Sequence, residues 1–306
     1  MTISIASTET TAIELAPNHK IGLALSNPVM PAAGCFGFGS EYARLVNVEA
    51  LGAVVVGPVT GRKRQGAYPP RKLPIPGGVL LHTGLLNPGI AAVVRRYARV
   101  WAHSPVPVIV HVAGTSPGET ASCCQRLASI EAVAGIELGF SDSVDPDDVV
   151  AIIQAARAST DHPLITRIPL LDALSLDSLC QAAVEAGTDA LTIAAPPRGT
   201  VWHEPDGQRD SGQFVRGRLY GPFVLALALR ALRHVAKLVS TPIIGCGGIH
   251  SAEDAMAFLH AGAVAVQVDS AIWRDPSCLA RIARRLSVSV QPSVAYRPMS
   301  SGDKPR

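Results

Sequence analysis

The 306-residue chain has a net charge of only +3, and its basic residues are scattered apart from Arg62, Lys63 and Arg64, so it lacks the electrostatic footprint of a nucleic-acid binder. With 48% apolar and 17% charged residues it is no disordered chain, and it holds ample material for a large core. Its six cysteines show no paired metal-ligand spacing, no segment reaches about 18 uninterrupted apolar residues, and the start lacks the plan of an export signal, so a cytoplasmic protein with no metal and no membrane contact is expected.

From about residue 28, short apolar runs alternate with segments of helical period, the pattern of repeated βα units around a parallel sheet. Strands are predicted over 28–34, 53–59, 107–114, 135–141, 163–169, 189–195, 242–248 and 263–269. Among the helices between them, 223–239 is the longest, and 251–262 has Ser251 as N-cap and Gly262 as terminator. Eight strands suggest closure into a (β/α)8 barrel, one unit over residues 1–288 with a flexible start at 1–11 and a flexible tail at 289–306. In that fold the site lies at the C-terminal ends of the strands. Two connections at that end are too long for simple loops, 60–87 and 197–220, and are expected to be lids or substrate walls, the second turning at Pro205-Asp206-Gly207.

The stretch GIELGFSDSVDPDD, 135–148, runs from a buried strand into a polar cluster that opens a helix. Asp142, Ser143 or Asp145 can cap that helix near Pro146, with Asp147 and Asp148 favourable in its first turn, or Asp142 can act as a base. Cys35, His82, His111, Arg167, His203, Glu204 and Asp269 also project from strand ends or their loops, so a new acid/base or metal set is conceivable, although no local ligand spacing supports a metal. Each has a plainer role: Cys35 a small packed residue, His111 a hydrogen-bonded barrel histidine, Arg167 a salt-bridge partner, His203 and Glu204 a solvated pair. The glycines of GCGG, Gly245, Gly247 and Gly248, either let a phosphate approach the backbone or serve the start of the next helix.

NPVMPAAGCFGFGSEY (27–42), RQGAYPPR (64–71), PGGVLLHTGLLNPG (76–89), YGPFVLALAL (220–229) and PIIGCGGIHSAEDAMAFLHAGAVAVQV (242–268) closely resemble, in this order, the dihydroorotate dehydrogenases. The resemblance covers roughly residues 12–285 and is closest to the NAD-linked class 1B catalytic subunit, which hands electrons to a separate iron-sulfur flavoprotein. It implies FMN at the top of the barrel and oxidation of dihydroorotate to orotate in pyrimidine synthesis. It also implies cofactor contacts at Ala33, Gly34, Arg167, Gly221, Gly247, Gly248 and Ser270, a substrate contact at Asn87, and Asp142 at the family's catalytic cysteine. The framework is kept while the chemistry is rewritten. The family's strand-end lysines fall at Gly57 and Arg167, and its asparagines at Leu81, His111, Gly139, Val144 and Ala194. A loop serine becomes Tyr220, and the Gly-Thr after strand eight becomes Asp269-Ser270, which would set a carboxylate beside a phosphate at a cost on the order of 1 kcal/mol.

Loss of most amides would remove several bonds to a charged ligand, each worth about 1.5 to 3 kcal/mol. A dihydroorotate dehydrogenase homologue lacking dihydroorotate oxidation, a degenerate or regulatory paralogue, is therefore expected. The alternatives are an FMN-dependent oxidoreductase of pyrimidine biosynthesis acting on CH–CH bonds, or an enzyme repurposed for another substrate. The partners that the resemblance implies are a second copy in a homodimer, an iron-sulfur flavoprotein electron-transfer subunit, or another pyrimidine-pathway enzyme.

Overall fold

The structure, a computed structural model, describes residues 12–42, 44–204 and 212–289. Eight strands form one parallel sheet: Val29–Pro31, Val54–Val59, Val108–Val112, Val133–Gly139, Leu164–Pro169, Ala190–Ala195, Ile243–Cys246 and Ala265–Val268. Each lies within a segment predicted as a strand or overlaps it. Around the ring strand one neighbours strand eight, and the order then descends to strand two. Strands one and two meet through Gly52 N–H to Val29 O at 2.9 Å and Gly34 N–H to Gly57 O at 3.0 Å, so the sheet curls into a nearly closed (β/α)8 barrel. Runs such as Val54-Val55-Val56 are buried on both faces because helices cover the outside of the ring.

The helices are α1 (Ile90–Ala102), α2 (Pro117–Ala128), α3 (Pro146–Arg157), α4 (Ala173–Glu185), α5 (Val224–Val235), α6 (Ala252–His260), the short α7 (Ala271–Arg274) and α8 (Cys278–Ser289). Helix α6 begins with the reciprocal bonding of a capping box between Ser251 and Asp254, and Gly262 follows its end at φ 114°. Helix α5 stops a turn short of the predicted 223–239. Val239 still packs on the core from a turn, closed by its N–H to Val235 O at 3.2 Å, so its apolar character reports burial and not helix.

Side chains alternate between the two faces of each strand, and the interior is layered accordingly. The floor is apolar: Met30, Val55, Ile109, Ile165, Ala190, Ile244 and Ala265 pack with Leu15, Leu23 and Leu25, brought there by the antiparallel ribbon Ile13–Glu14 with Ala24–Leu25. One layer further along strands three to six and eight the interior turns polar, with His111, Glu137, Arg167, Thr192 and Gln267.

The two long connections pair with each other. Strands Lys72–Ile75 and Gly78–Leu81 from the first join Arg198–His203 and Gln213–Tyr220 from the second in a four-stranded antiparallel sheet around Leu73, Leu80 and Val215. The expected wall is thus one composite sheet. The turn expected at Pro205-Asp206-Gly207, the start at 1–11 and the tail from residue 290 lie outside the described residues.

Candidate functional site at the barrel mouth

Glu137 of strand four is fully buried and is the hub of the polar layer. Its Oε2 lies 2.7 Å from Nδ1 of His111 and 3.6 Å from a terminal nitrogen of Arg167. Its Oε1 accepts from the Thr192 hydroxyl at 2.8 Å and from the Gln267 amide at 2.6 Å. Arg167 donates onward to Gln267 Oε1 at 3.2 Å and to the Cys246 sulfur at 3.1 Å. Burial pushes the Glu137 carboxyl up, but Arg167, His111 and Gln267 outweigh it and hold it well below the usual carboxylate range. Arg167 likewise overcomes its own burial through Cys246 and Glu137 and stays charged. Burial pushes the Cys246 thiol up to about 12 and raises Cys35 well above its ordinary value, so neither is a thiolate nucleophile.

Two glycines make room for this network. A Cβ on Gly139 would lie 2.5 Å from His111 Nε2, so the imidazole lies across the end of strand four. Gly57 has φ +112°, and a Cβ there would meet the His111 carbonyl at 2.8 Å, which leaves no room for a side chain at the end of strand two. The glycines and the histidine are one packing solution.

Asp142 neither caps α3 nor is free. Asp145 is the cap, its Oδ1 accepting from Asp148 N–H at 2.8 Å with Pro146 in the first turn. Asp142 instead accepts from Arg218 at 2.6 Å through Oδ1 and from Arg198 through Oδ2, which binds the loop after strand four to the composite sheet. Asn87, 4% exposed, accepts from the N–H groups of Thr60 and Gly89 at 3.2 and 2.9 Å and donates to Leu85 O at 2.6 Å, so it organises its own loop.

The remaining candidate cofactor contacts do gather at the ends of strands one, seven and eight. Ala33 and Gly34 follow strand one, and Gly34 is tied to Gly57. Gly247 (φ +120°) and Gly248 (φ +72°) follow strand seven, where a Cβ on Gly248 would strike Leu225 N at 2.4 Å and Gly221 O at 3.1 Å. The start of α5 therefore packs directly on that turn. After strand eight, Asp269 is 1% exposed. Its Oδ1 accepts from Ser270 N–H at 2.5 Å and from the Ser270 hydroxyl at 3.0 Å, while Oδ2 has no partner. Tyr220 lies edge-on to Trp273, ring centres 5.0 Å apart. Burial pushes its phenol up, with Cys35 and Asp269 adding and Arg167 opposing.

His203 and Glu204 lie on the outer hairpin, where Glu204 accepts from the Trp202 indole at 2.9 Å, away from the polar layer. Among the described residues no three His, Cys, Asp or Glu side chains are grouped to hold a metal, and no helix is long and apolar enough to cross a membrane. Glu137, Thr192, Gln267, Arg198 and Arg218 were not singled out by motif. The signal for the first and third was there: a glutamate inside Ile136-Glu137-Leu138 and a glutamine inside Val266-Gln267-Val268 are polar residues at strand positions with no exposed face.

A model of the family described as dihydroorotate dehydrogenase matches residues 17–289. The chain belongs to the dihydroorotate dehydrogenase family. It is 36% identical over 275 residues to the protein named dihydroorotate dehydrogenase B (NAD(+)), catalytic subunit, of Desulforudis audaxviator, covering 87% of this chain and 89% of that one. It is also 36% identical over 273 residues to the protein of the same name from Pelobacter propionicus, covering 86% and 89%. Among solved structures, the dihydroorotate dehydrogenase of Eimeria tenella in complex with ferulenol superposes with a TM-score of 0.73 at 18% identity, over 94% of this chain and 85% of that one, a likeness of fold. Within that family frame, the mouth of this barrel carries polar groups that bond to one another.

Proposed function

We propose that this family member does not oxidise dihydroorotate and acts as a degenerate or regulatory paralogue. The observation that carries the proposal is the interlinked polar layer: Glu137, Arg167, Thr192 and Gln267 bond to one another, and Asp142, at the base position, is held on both oxygens by Arg198 and Arg218. A base must reach a C–H proton within about 3 Å, and a carboxylate bridged by two guanidiniums is not free to turn toward one.

FMN, which the family resemblance implies, is not fitted by these residues. A phosphate after strand eight would meet the buried Asp269 carboxylate, whose Oδ2 is already without a partner, and would find the Ser270 N–H taken. The turn at Gly247-Gly248 packs on the start of α5 on its Cβ side, so the misfit lies after strand eight. No flavin chemistry is therefore assigned to the mouth.

A paralogue without this chemistry acts through partners. A homodimer, an iron-sulfur flavoprotein subunit and a pyrimidine-pathway enzyme are the candidates that the family membership supports, in the cytoplasm. The test is to supply FMN to the purified chain, remove free flavin, record the visible spectrum, and assay orotate formation from dihydroorotate with an artificial electron acceptor. A colourless protein without orotate formation is expected. The identity to class B catalytic subunits favours a second reading, an FMN-dependent oxidoreductase. A retained flavin band with orotate formation would establish it, and a band without orotate would point to another substrate.

A further inference from the structure

Barrels of this type commonly hold a phosphate between the loops after strands seven and eight and the N-terminus of a short extra helix. Here those parts are Gly247-Gly248, Asp269-Ser270 and α7. The donors after strand eight are in use: the N–H and hydroxyl of Ser270 both point to one oxygen of the Asp269 carboxylate, the pair of bonds that an oxygen of a bound phosphate would take. The second carboxylate oxygen is buried and unpartnered, as expected of an anion placed by local geometry and not by a counter-ion.

Resting on the reading that the chain holds no FMN, we propose that Asp269 is a built-in substitute for the cofactor's phosphate, and that Tyr220 against Trp273 takes the neighbouring space of its ring. The two act on different parts of the ligand. Asp269 repels and displaces a dianion but has no quarrel with a neutral flavin, whereas Tyr220 is a steric obstacle to any flavin. Tyr220 pairs with Val79 in the composite sheet, and a Cβ on the following Gly221 would lie 2.4 Å from Gly77 O, so the backbone that carries the ring runs close against that sheet.

FMN and riboflavin binding are measured by quenching of flavin fluorescence for the full chain, Tyr220→Ser, and Asp269→Gly/Tyr220→Ser, with the fold of each checked by circular dichroism. The wild-type chain should bind neither. Tyr220→Ser should bind both weakly and without preference, and the double variant should prefer FMN to riboflavin by about tenfold or more, the worth of one charge-assisted hydrogen bond. A folded double variant with no preference for FMN overturns the role of Asp269 while leaving the wild-type reading intact. A wild-type chain that retains FMN overturns that reading and the inference with it. Should the double variant not fold, Asp269→Asn is titrated calorimetrically with inorganic phosphate against wild type: tighter binding supports the substitute role, and no difference overturns it.

Discussion

Gly139→Ala would put a methyl carbon 2.5 Å from His111 Nε2, on an imidazole whose Nδ1 is tied to Glu137 at 2.7 Å. Overpacking of this kind costs about 1 to 3 kcal/mol, to be seen as a lowered melting temperature. The contrast is Gly118→Ala in α2, where nothing lies within 4 Å of the new Cβ and the variant should gain about 0.4 to 1 kcal/mol from the stiffer unfolded chain. Arg167→Met strands a buried carboxylate and should cost about 3 to 5 kcal/mol, whereas Arg167→Met with Glu137→Leu should recover part of that loss in the same melts. At this scale the sequence was legible in part. Arg167 and His111 could be placed at strand ends by counting. Their common partner could not, because the glutamate that joins them sits in an apolar run where motif matching passes over it.

At the scale of elements, Asp142 and Asp145 are three residues apart and do unrelated work. Asp145→Ala removes the cap of α3 and should cost about 1 kcal/mol in chemical denaturation. Asp142→Asn breaks bridges to Arg198 and Arg218, of which Arg198 is well exposed, so global stability should hardly move. Its effect should be local: faster amide exchange in Arg198–His203 and Gln213–Tyr220 by mass spectrometry, with the barrel strands unchanged. All eight strands could be read from the chain because each is a short buried run bounded by turn residues. The composite sheet could not, since its pairing of residues 78–81 with 218–220 joins segments far apart whose alternation is weak and whose partners nothing local specifies.

For the whole molecule, Glu137 links stability to pH. Its carboxyl titrates lower in the folded than in the unfolded chain, so the unfolded chain binds more protons in the acid range. The stabilisation is complete above the ordinary carboxylate value and is lost as pH falls through that value toward the folded one. Melting temperatures followed from about pH 6 to about pH 3 should fall more steeply for the wild-type chain than for Glu137→Gln, once each is referred to its own value at pH 6. The barrel was the most legible level of all, because composition, strand count and connection lengths agree on it independently.

Strands two and six stand opposite each other in the ring, and the segments that follow them meet through Arg218 with Leu81, Leu219 with Leu80 and Tyr220 with Val79. That pairing is a tie-beam across a diameter. A lid hinged at one rim can swing aside, but a beam joined on both sides moves only when three consecutive rungs break. Whatever loosens one of the two long connections is therefore felt in the other, and amide exchange at residues 79–81 and 218–220 should rise and fall together.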